Sequence, residues 1–116
     1  MIKIQHRVNS TGLLQSVSPT YGAEVDVRYH EDKLILHHDP LGHHIHPVPE
    51  SFETYLAEFT LRGPLIINVK CVGIEYECIQ LMHKYNIKEW FFLDLSAPRL
   101  IQLIKWASES RFPNFT

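Results

Sequence analysis

The stretch Ala23-Glu24-Val25-Asp26-Val27-Arg28-Tyr29-His30-Glu31-Asp32-Lys33-Leu34-Ile35-Leu36-His37-His38-Asp39-Pro40 decides the fold. From Ala23 to Val27 apolar and polar residues alternate, which is the period of a strand with one buried face. Ala23, Val25 and Val27 then lie on one side, and Glu24 and Asp26 on the other. Glu31-Asp32-Lys33 reads as a polar turn, and Leu34 to His38 as a further strand ending in His38-Asp39-Pro40. Toward the N-terminus, Ile2 to His6 alternates as well and predicts a short strand. Asn9-Ser10-Thr11-Gly12 has loop chemistry, and Leu13 to Val17 leaves room for one helical turn before Pro19. The order is strand, loop, strand, hairpin turn, strand.

Downstream, Pro40 to Pro49 is a loop rich in His and Pro. Ser51 is placed to cap a helix through about Phe59, with Phe52, Leu56 and Phe59 as its apolar stripe. Arg62-Gly63-Pro64 ends it. Leu65 to Val69 is an almost continuous apolar run, the pattern of a strand buried on both faces of a parallel sheet. Gly73 precedes a helix carrying Ile74, Cys78, Leu81, Met82 and Tyr85 on one face. Trp90-Phe91-Phe92-Leu93 reads as another buried strand that stops at Asp94. Ser96 then caps a last helix, with Pro98 in its first turn and Leu100, Ile104 and Ala107 facing inward. Strands alternating with helices predict an α/β fold with parallel strands and right-handed crossovers.

Composition bounds the rest. The chain has 116 residues, 45% hydrophobic and 21% charged, as expected for one globular domain spanning residues 1–116. No apolar run approaches the roughly 18 residues of a membrane-spanning helix, and the first residues lack the apolar core of a signal peptide. Eleven basic against 13 acidic residues, with no basic stripe, argue against nucleic acid as a partner. Cys71 and Cys78 form no CxxC pair and read as free thiols of a cytoplasmic protein. Eight histidines are present, five of them between His37 and His46. That stretch gains positive charge as pH falls through about 6.5.

In parallel α/β folds, functional residues gather at the C-terminal ends of strands. Those ends here hold His6-Arg7, Glu24 and Asp26, His38-Asp39, Asn68-Val69-Lys70 and Asp94. Singly, each has an ordinary reading. The two carboxylates suit the solvent face of a strand, and Asp94 suits a helix cap or an ion pair. His37 is a pleat neighbour pointing away from His38. Tyr55, Trp90, Phe91 and Phe92 belong to a core. Brought to one end of a sheet, however, the set suits a phosphodiester. Carboxylates hold a hard cation, Arg and Lys take phosphate oxygens, and two imidazoles serve as base and acid.

The ordered residues His6-Arg7, Glu24-Val25-Asp26-Val27, the turn Glu31-Asp32-Lys33, and His38-Asp39-Pro40 resemble the glycerophosphodiester phosphodiesterase family of phospholipase-C-like TIM barrels. Asn68-Val69-Lys70 is a weaker match. The resemblance runs over roughly residues 2 to 110 and is strongest from 22 to 42. It implies a partial (β/α) barrel of about five parallel strands, the N-terminal half of a fold that needs eight strands and about 250 residues. It implies His6 and His38 as the acid/base pair and Glu24, Asp26 and Asn68 as ligands of magnesium or calcium. Arg7 and Lys70 would hold phosphate, with Asp39 and Asp94 in support. The substrate would be a small phosphodiester of glycerol, polyol or lipid origin.

Three departures stand against the pattern. Val8 replaces the glycine that follows His-Arg, Asn68 replaces an acidic ligand, and only about 15 residues separate Arg7 from the second strand. A relative that binds a phosphorylated ligand without turning it over is therefore the second reading. A metal module built from His43, His44 and His46 is the third. A half-barrel also leaves a sheet edge open. The chain is then part of a longer barrel, or it closes that edge against another copy.

Overall fold

The computed structural model describes residues 2–41, 49–93, 98, 101–102 and 104–106. Its elements are β1 (Ile4–Gln5), α1 (Thr11–Gln15), β2 (Gly22–His30), β3 (Lys33–Leu36), α2 (Phe52–Glu58), β4 (Leu65–Val69), α3 (Glu75–Lys84) and β5 (Trp90–Phe92). Residues 98, 101–102 and 104–106 are helical too. The mixed α/β architecture follows the alternation in the sequence. Local chemistry explains the helix starts. Ser10 Oγ accepts from the Leu13 N–H at the start of α1, and Ser51 Oγ from the Thr54 N–H at the start of α2.

The sheet order is β1-β2-β4-β5, parallel throughout, with β3 added to β2 as an antiparallel partner. Among the described residues the sheet has the expected five strands, four of them parallel, and the expectation that all run parallel is corrected at β3. The cause is the turn. Glu31 and Asp32 both take positive φ, 50° and 63°, as both central residues of a type I′ hairpin must. A two-residue connection joins only antiparallel strands. Placing Glu and Asp where Asn and Gly are preferred costs about 1 kcal/mol per residue.

Odd-numbered residues of β2 and β4 form the core. Ala23, Val25, Val27, Leu65 and Ile67 are fully buried against Phe52, Tyr55 and Leu56 of α2 and Cys78, Ile79 and Met82 of α3. Even-numbered residues face the other way, and the register aligns Glu24 with Ile66 and Asp26 with Asn68. Burial on both faces of β4 and β5 is accordingly not observed. Ile66 and Asn68 are half-buried, Phe91 is 56% exposed and Leu93 is 38% exposed. The apolar runs mark a sheet with helices packed on one face and a second, less covered face.

Candidate functional site

Where β1 ends, β3 begins to pair. Both lie along the same edge of β2, because the even-numbered backbone groups of β2 serve them in turn. Gly22 N–H donates to the Lys3 carbonyl, Val8 N–H to the Glu24 carbonyl, and His37 N–H to the Asp26 carbonyl, at 2.8 to 3.0 Å. β2 also outruns its parallel neighbours, so the hairpin arm projects past the sheet and β3 returns along it. His38 and Asp39 thus arrive beside Asp26, at the C-terminal end of the parallel strands, although β3 runs the opposite way. The sequence reasoning chose the right end of the sheet but assumed a parallel strand to deliver them.

Asn9 fills the gap between β1 and β3. Its Oδ1 accepts from the Asp26 N–H at 2.9 Å, and its Nδ2 donates to Asp26 Oδ2 at 3.0 Å. The side chain continues the ladder that the backbone abandons. The chain reaches this position through Arg7, which holds a left-handed φ of 52°, a conformation rare outside glycine that gathers at functional sites. Val8 uses the resulting turn to insert into the core, where it is 2% exposed. The residue that replaces a glycine in the motif is therefore a packing anchor.

Asp26 is 1% exposed, and its Oδ1 has no hydrogen-bond partner. Lys70 Nζ stands 3.8 Å from that oxygen, which supplies countercharge without a hydrogen bond. Lys70 is held there by its own backbone, since its N–H donates to the Val27 carbonyl. Glu24 lies nearer the β1 end of the same face. His6 Nδ1 is 3.4 Å from its Oε1, which also faces the Arg7 N–H at 3.4 Å. The His6 side chain is 76% exposed and that of Glu24 only 12%, so the carboxylate is fixed and the imidazole is open to solvent.

On the far side, His38 Nδ1–H donates to Asp39 Oδ1 at 2.8 Å, and His37 Nδ1–H donates to the Asp39 carbonyl at 2.8 Å. The His38 bond holds the Asp39 carboxyl below the ordinary carboxylate range. Desolvation opposes the shift, and the charges of His38, His37 and Arg7 assist it.

Sequence reasoning missed two residues. Asn9 read as loop chemistry, yet it is the direct partner of Asp26. Arg28 shares the face of Asp26. One of its terminal nitrogens, Nη2, donates to the His38 carbonyl at 2.7 Å, while its buried Nε has no partner. Its place two residues beyond Asp26 on an alternating strand was the available signal. Asp94, expected in support, lies outside the described residues, as do His43, His44 and His46.

Among the described residues, no group of three or more His, Cys, Asp or Glu is arranged to hold a metal. The set expected here includes an amide, however, and its residues suit a hard cation in kind. Glu24 and Asp26 supply carboxylates, Asn68 sits level with Asp26 on the neighbouring strand, and Asp26 Oδ1 lacks a donor.

Two cavities frame the arrangement. One of about 190 Å³ opens beside His6 and Arg7 and is walled by Leu13, Ser16 and Val17 of the α1 region. A larger cleft of about 400 Å³ lies between the hairpin and helices α2 and α3, lined by Asp32, Glu53 and Glu77. Its wall holds Lys33 beside these three carboxylates and none of the site residues, whereas the smaller cavity is lined by His6 and Arg7. Comparison with family models, curated proteins and solved structures returns no match, so the family resemblance rests on the motifs quoted above.

Proposed function

We propose that the β1–β3 gap and the adjoining end of β4 form a phosphodiester hydrolase site acting on small glycerophosphodiester-like or lipid-derived substrates. The observation that carries this reading is the buried Asp26 carboxylate with an open oxygen. It lies beside Lys70 and level with Asn68 on β4, with the imidazole–carboxylate pairs His6–Glu24 and His38–Asp39 toward the β1 and β3 ends. Arg7 and Lys70 bind the phosphate oxygens. His38, oriented by Asp39, and His6, oriented by Glu24, take and return the proton. Each imidazole uses Nδ1 toward its carboxylate, leaving Nε2 for the substrate. Glu24, Asp26 and Asn68 would hold magnesium or calcium, which when bound neutralises charge on the phosphoryl oxygens. The free thiols Cys71 and Cys78 suit a cytoplasmic place of action, and no helix among the described residues is long and apolar enough to cross a membrane.

The test is hydrolysis of glycerophosphocholine and bis(p-nitrophenyl) phosphate with magnesium or calcium. His6→Ala and His38→Ala should each lower kcat by about 100-fold or more, the usual contribution of a positioned acid or base. Equal activity in both variants and the parent would refute the assignment.

A second reading has one observation in its favour. Lys70 already neutralises Asp26 at 3.8 Å, and Asn68 adds no charge, so phosphoester binding would proceed without a metal. Calorimetry showing metal-independent binding with no turnover would select it.

A further inference from the structure

Arg28 on β2 takes no part in the acid–base chemistry, yet it is a half-buried cation on the same face as Asp26. Among the described residues its one hydrogen bond runs from Nη2 to the His38 carbonyl at 2.7 Å, and its buried Nε has no partner. A guanidinium carries five N–H donors in a planar fork, so most of them are unspent. No carboxylate among the described residues pairs with it. Residues 42–48, which follow the hairpin in sequence, contain no Asp or Glu.

The neighbouring strand brings a second cation to the same level. Val27 aligns with Val69, and the Lys70 N–H donates to the Val27 carbonyl at 2.9 Å, so the register continues by one residue and sets Lys70 beside Arg28. One step further the Tyr29 N–H meets Cys71 Sγ at 3.4 Å. Neighbouring strands lie about 4.8 Å apart. Two positive charges held level on them repel, more strongly where water is limited. Lys70 has Asp26 Oδ1 at 3.8 Å to offset it, whereas Arg28 has only a carbonyl. Asn68, on the same face, is neutral. This end of the face therefore carries one positive charge in excess, which a singly charged oxyanion matches. Arg28 is also prepared for such a ligand. Burial strips water from Nε, and the His38 carbonyl fixes one arm of the fork, so less freedom is lost when an anion binds.

We infer that Arg28 is an anion-binding residue of this site and holds, together with Lys70, the singly charged phosphate of a phosphodiester. Its unspent donors take the phosphoryl oxygens while Nη2 keeps the His38 carbonyl. One side chain then sets the phosphate and the His38 imidazole relative to each other. Binding of this kind rests on the reading of the face as a phosphodiester site, and does not require turnover.

Titration calorimetry of the full chain with glycerophosphocholine and with inorganic phosphate, in magnesium, tests it. Glycerophosphocholine should bind, and Arg28→Gln should weaken it by about 10-fold or more, the worth of a hydrogen bond to a charged group. Arg28→Lys keeps the charge without the fork and should weaken it less. Lys33→Gln, in the cleft beyond the hairpin, should leave it unchanged. Circular dichroism reports whether each variant folds. In the unaltered chain the Arg28 Nε–H resonance should shift as glycerophosphocholine is added, a readout that needs no variant. No binding to the unaltered chain, undiminished affinity in folded Arg28→Gln, an equal loss in Lys33→Gln or a stationary Nε–H resonance overturns the inference. Binding of inorganic phosphate alone overturns the assignment to a diester. Arg28-dependent binding in a chain that hydrolyses nothing upholds it and fails the hydrolase reading alone. Hydrolysis with an unchanged KM in Arg28→Gln overturns it and leaves that reading standing.

Discussion

Replacing Asn9 by Ala tests the central contact of the site. In the folded protein Asn9 makes two hydrogen bonds to a single residue, one to the Asp26 N–H at 2.9 Å and one to Asp26 Oδ2 at 3.0 Å. Asp26 is 1% exposed and its other oxygen is unpartnered. Removing the amide therefore strands a backbone donor and leaves a buried carboxylate with only Lys70 near it. A neutral buried hydrogen bond left unmade costs about 1–3 kcal/mol, and one to a charged group more. Collapse of neighbouring groups or entry of water recovers part of this, so the net loss should be about 3 kcal/mol. For a domain of this size that lowers Tm by roughly 10–15 °C.

A double-mutant cycle isolates the charged component. Asp26→Asn removes the charge that Asn9 solvates, so Asn9→Ala should cost at least about 1 kcal/mol less in that background than in the parent. Urea denaturation at pH 7 with matched m-values is the assay. If Asn9→Ala costs under about 0.5 kcal/mol, the range of an ordinary surface change, the claim that Asn9 substitutes for the missing ladder is wrong.

Glu53→Gln should remove most of the pH dependence that ties α2 to α3. Glu53 accepts from Lys84 and Tyr85, and the Lys84 hydrogen bond is the largest cause of its lowered pKa. Its contribution is present above the unfolded carboxyl value and lost as pH falls through the depressed folded one. Lys84 is raised, first by the same hydrogen bond. Its share persists below its unfolded value and disappears as pH rises through the raised one. Thermal melts across both ranges should therefore flatten at the two ends in the variant. Gly63→Ala should be poorly tolerated, because its Cβ would clash with the Gly22 nitrogen and the Tyr21 carbonyl. Gly73→Ala, with open space but φ of +90°, should cost more than about 1 kcal/mol through backbone strain alone. Denaturation midpoints separate the two mechanisms. Tyr55→Phe should be neutral or stabilising by up to about 1 kcal/mol, since the buried hydroxyl has no partner. A loss above 1 kcal/mol in urea melts would indicate a bond to that hydroxyl.

The fold was legible where period and punctuation agreed. Alternation from Ala23 to Val27, the serine before α2, and the polar turn at Glu31-Asp32 each act within a few residues, and each appears as an element or element boundary in the structure, whereas α1 starts two residues before the expected turn at Leu13 because Ser10 caps it. The apolar runs at 65–69 and 90–93 misled, because periodicity cannot distinguish burial under helices from an apolar face left open. Ile66 and Phe91 look like core in sequence, and only the register, which places them opposite Glu24 on the face away from the helices, reveals the difference. The site was legible as an inventory of residues. Its geometry was not, because Asn9 bonds across 17 positions and nothing local to Asn9 announces its partner.

The position of the hairpin explains why these polar side chains gather where they do. A parallel strand continuing beside β2 would have satisfied the Asp26 backbone and left no gap. Here β1 leaves the ladder at Arg7, at the cost of a left-handed residue, and β3 approaches from the opposite direction along the same edge. Two strands meeting head to head cannot both hydrogen-bond at the junction, so one position on β2 is left to side chains. That position is Asp26. Its backbone N–H takes Asn9, its carbonyl takes His37, its Oδ2 takes Asn9 again, and its Oδ1 has Lys70 at 3.8 Å but no hydrogen bond. A buried carboxylate oxygen without a hydrogen-bond partner is thus a consequence of topology, and the same break brings the chain at His6-Arg7 and at His38-Asp39 toward Asp26 from opposite directions. Converting the Glu31-Asp32 turn to Asn-Gly should stabilise the hairpin by about 1–2 kcal/mol by relieving two strained residues. Because the register is retained, the junction should be unchanged. If the substitution instead altered the coupling between Asn9 and Asp26 in the double-mutant cycle, the junction would depend on turn strain and not on the opposed directions of the two strands.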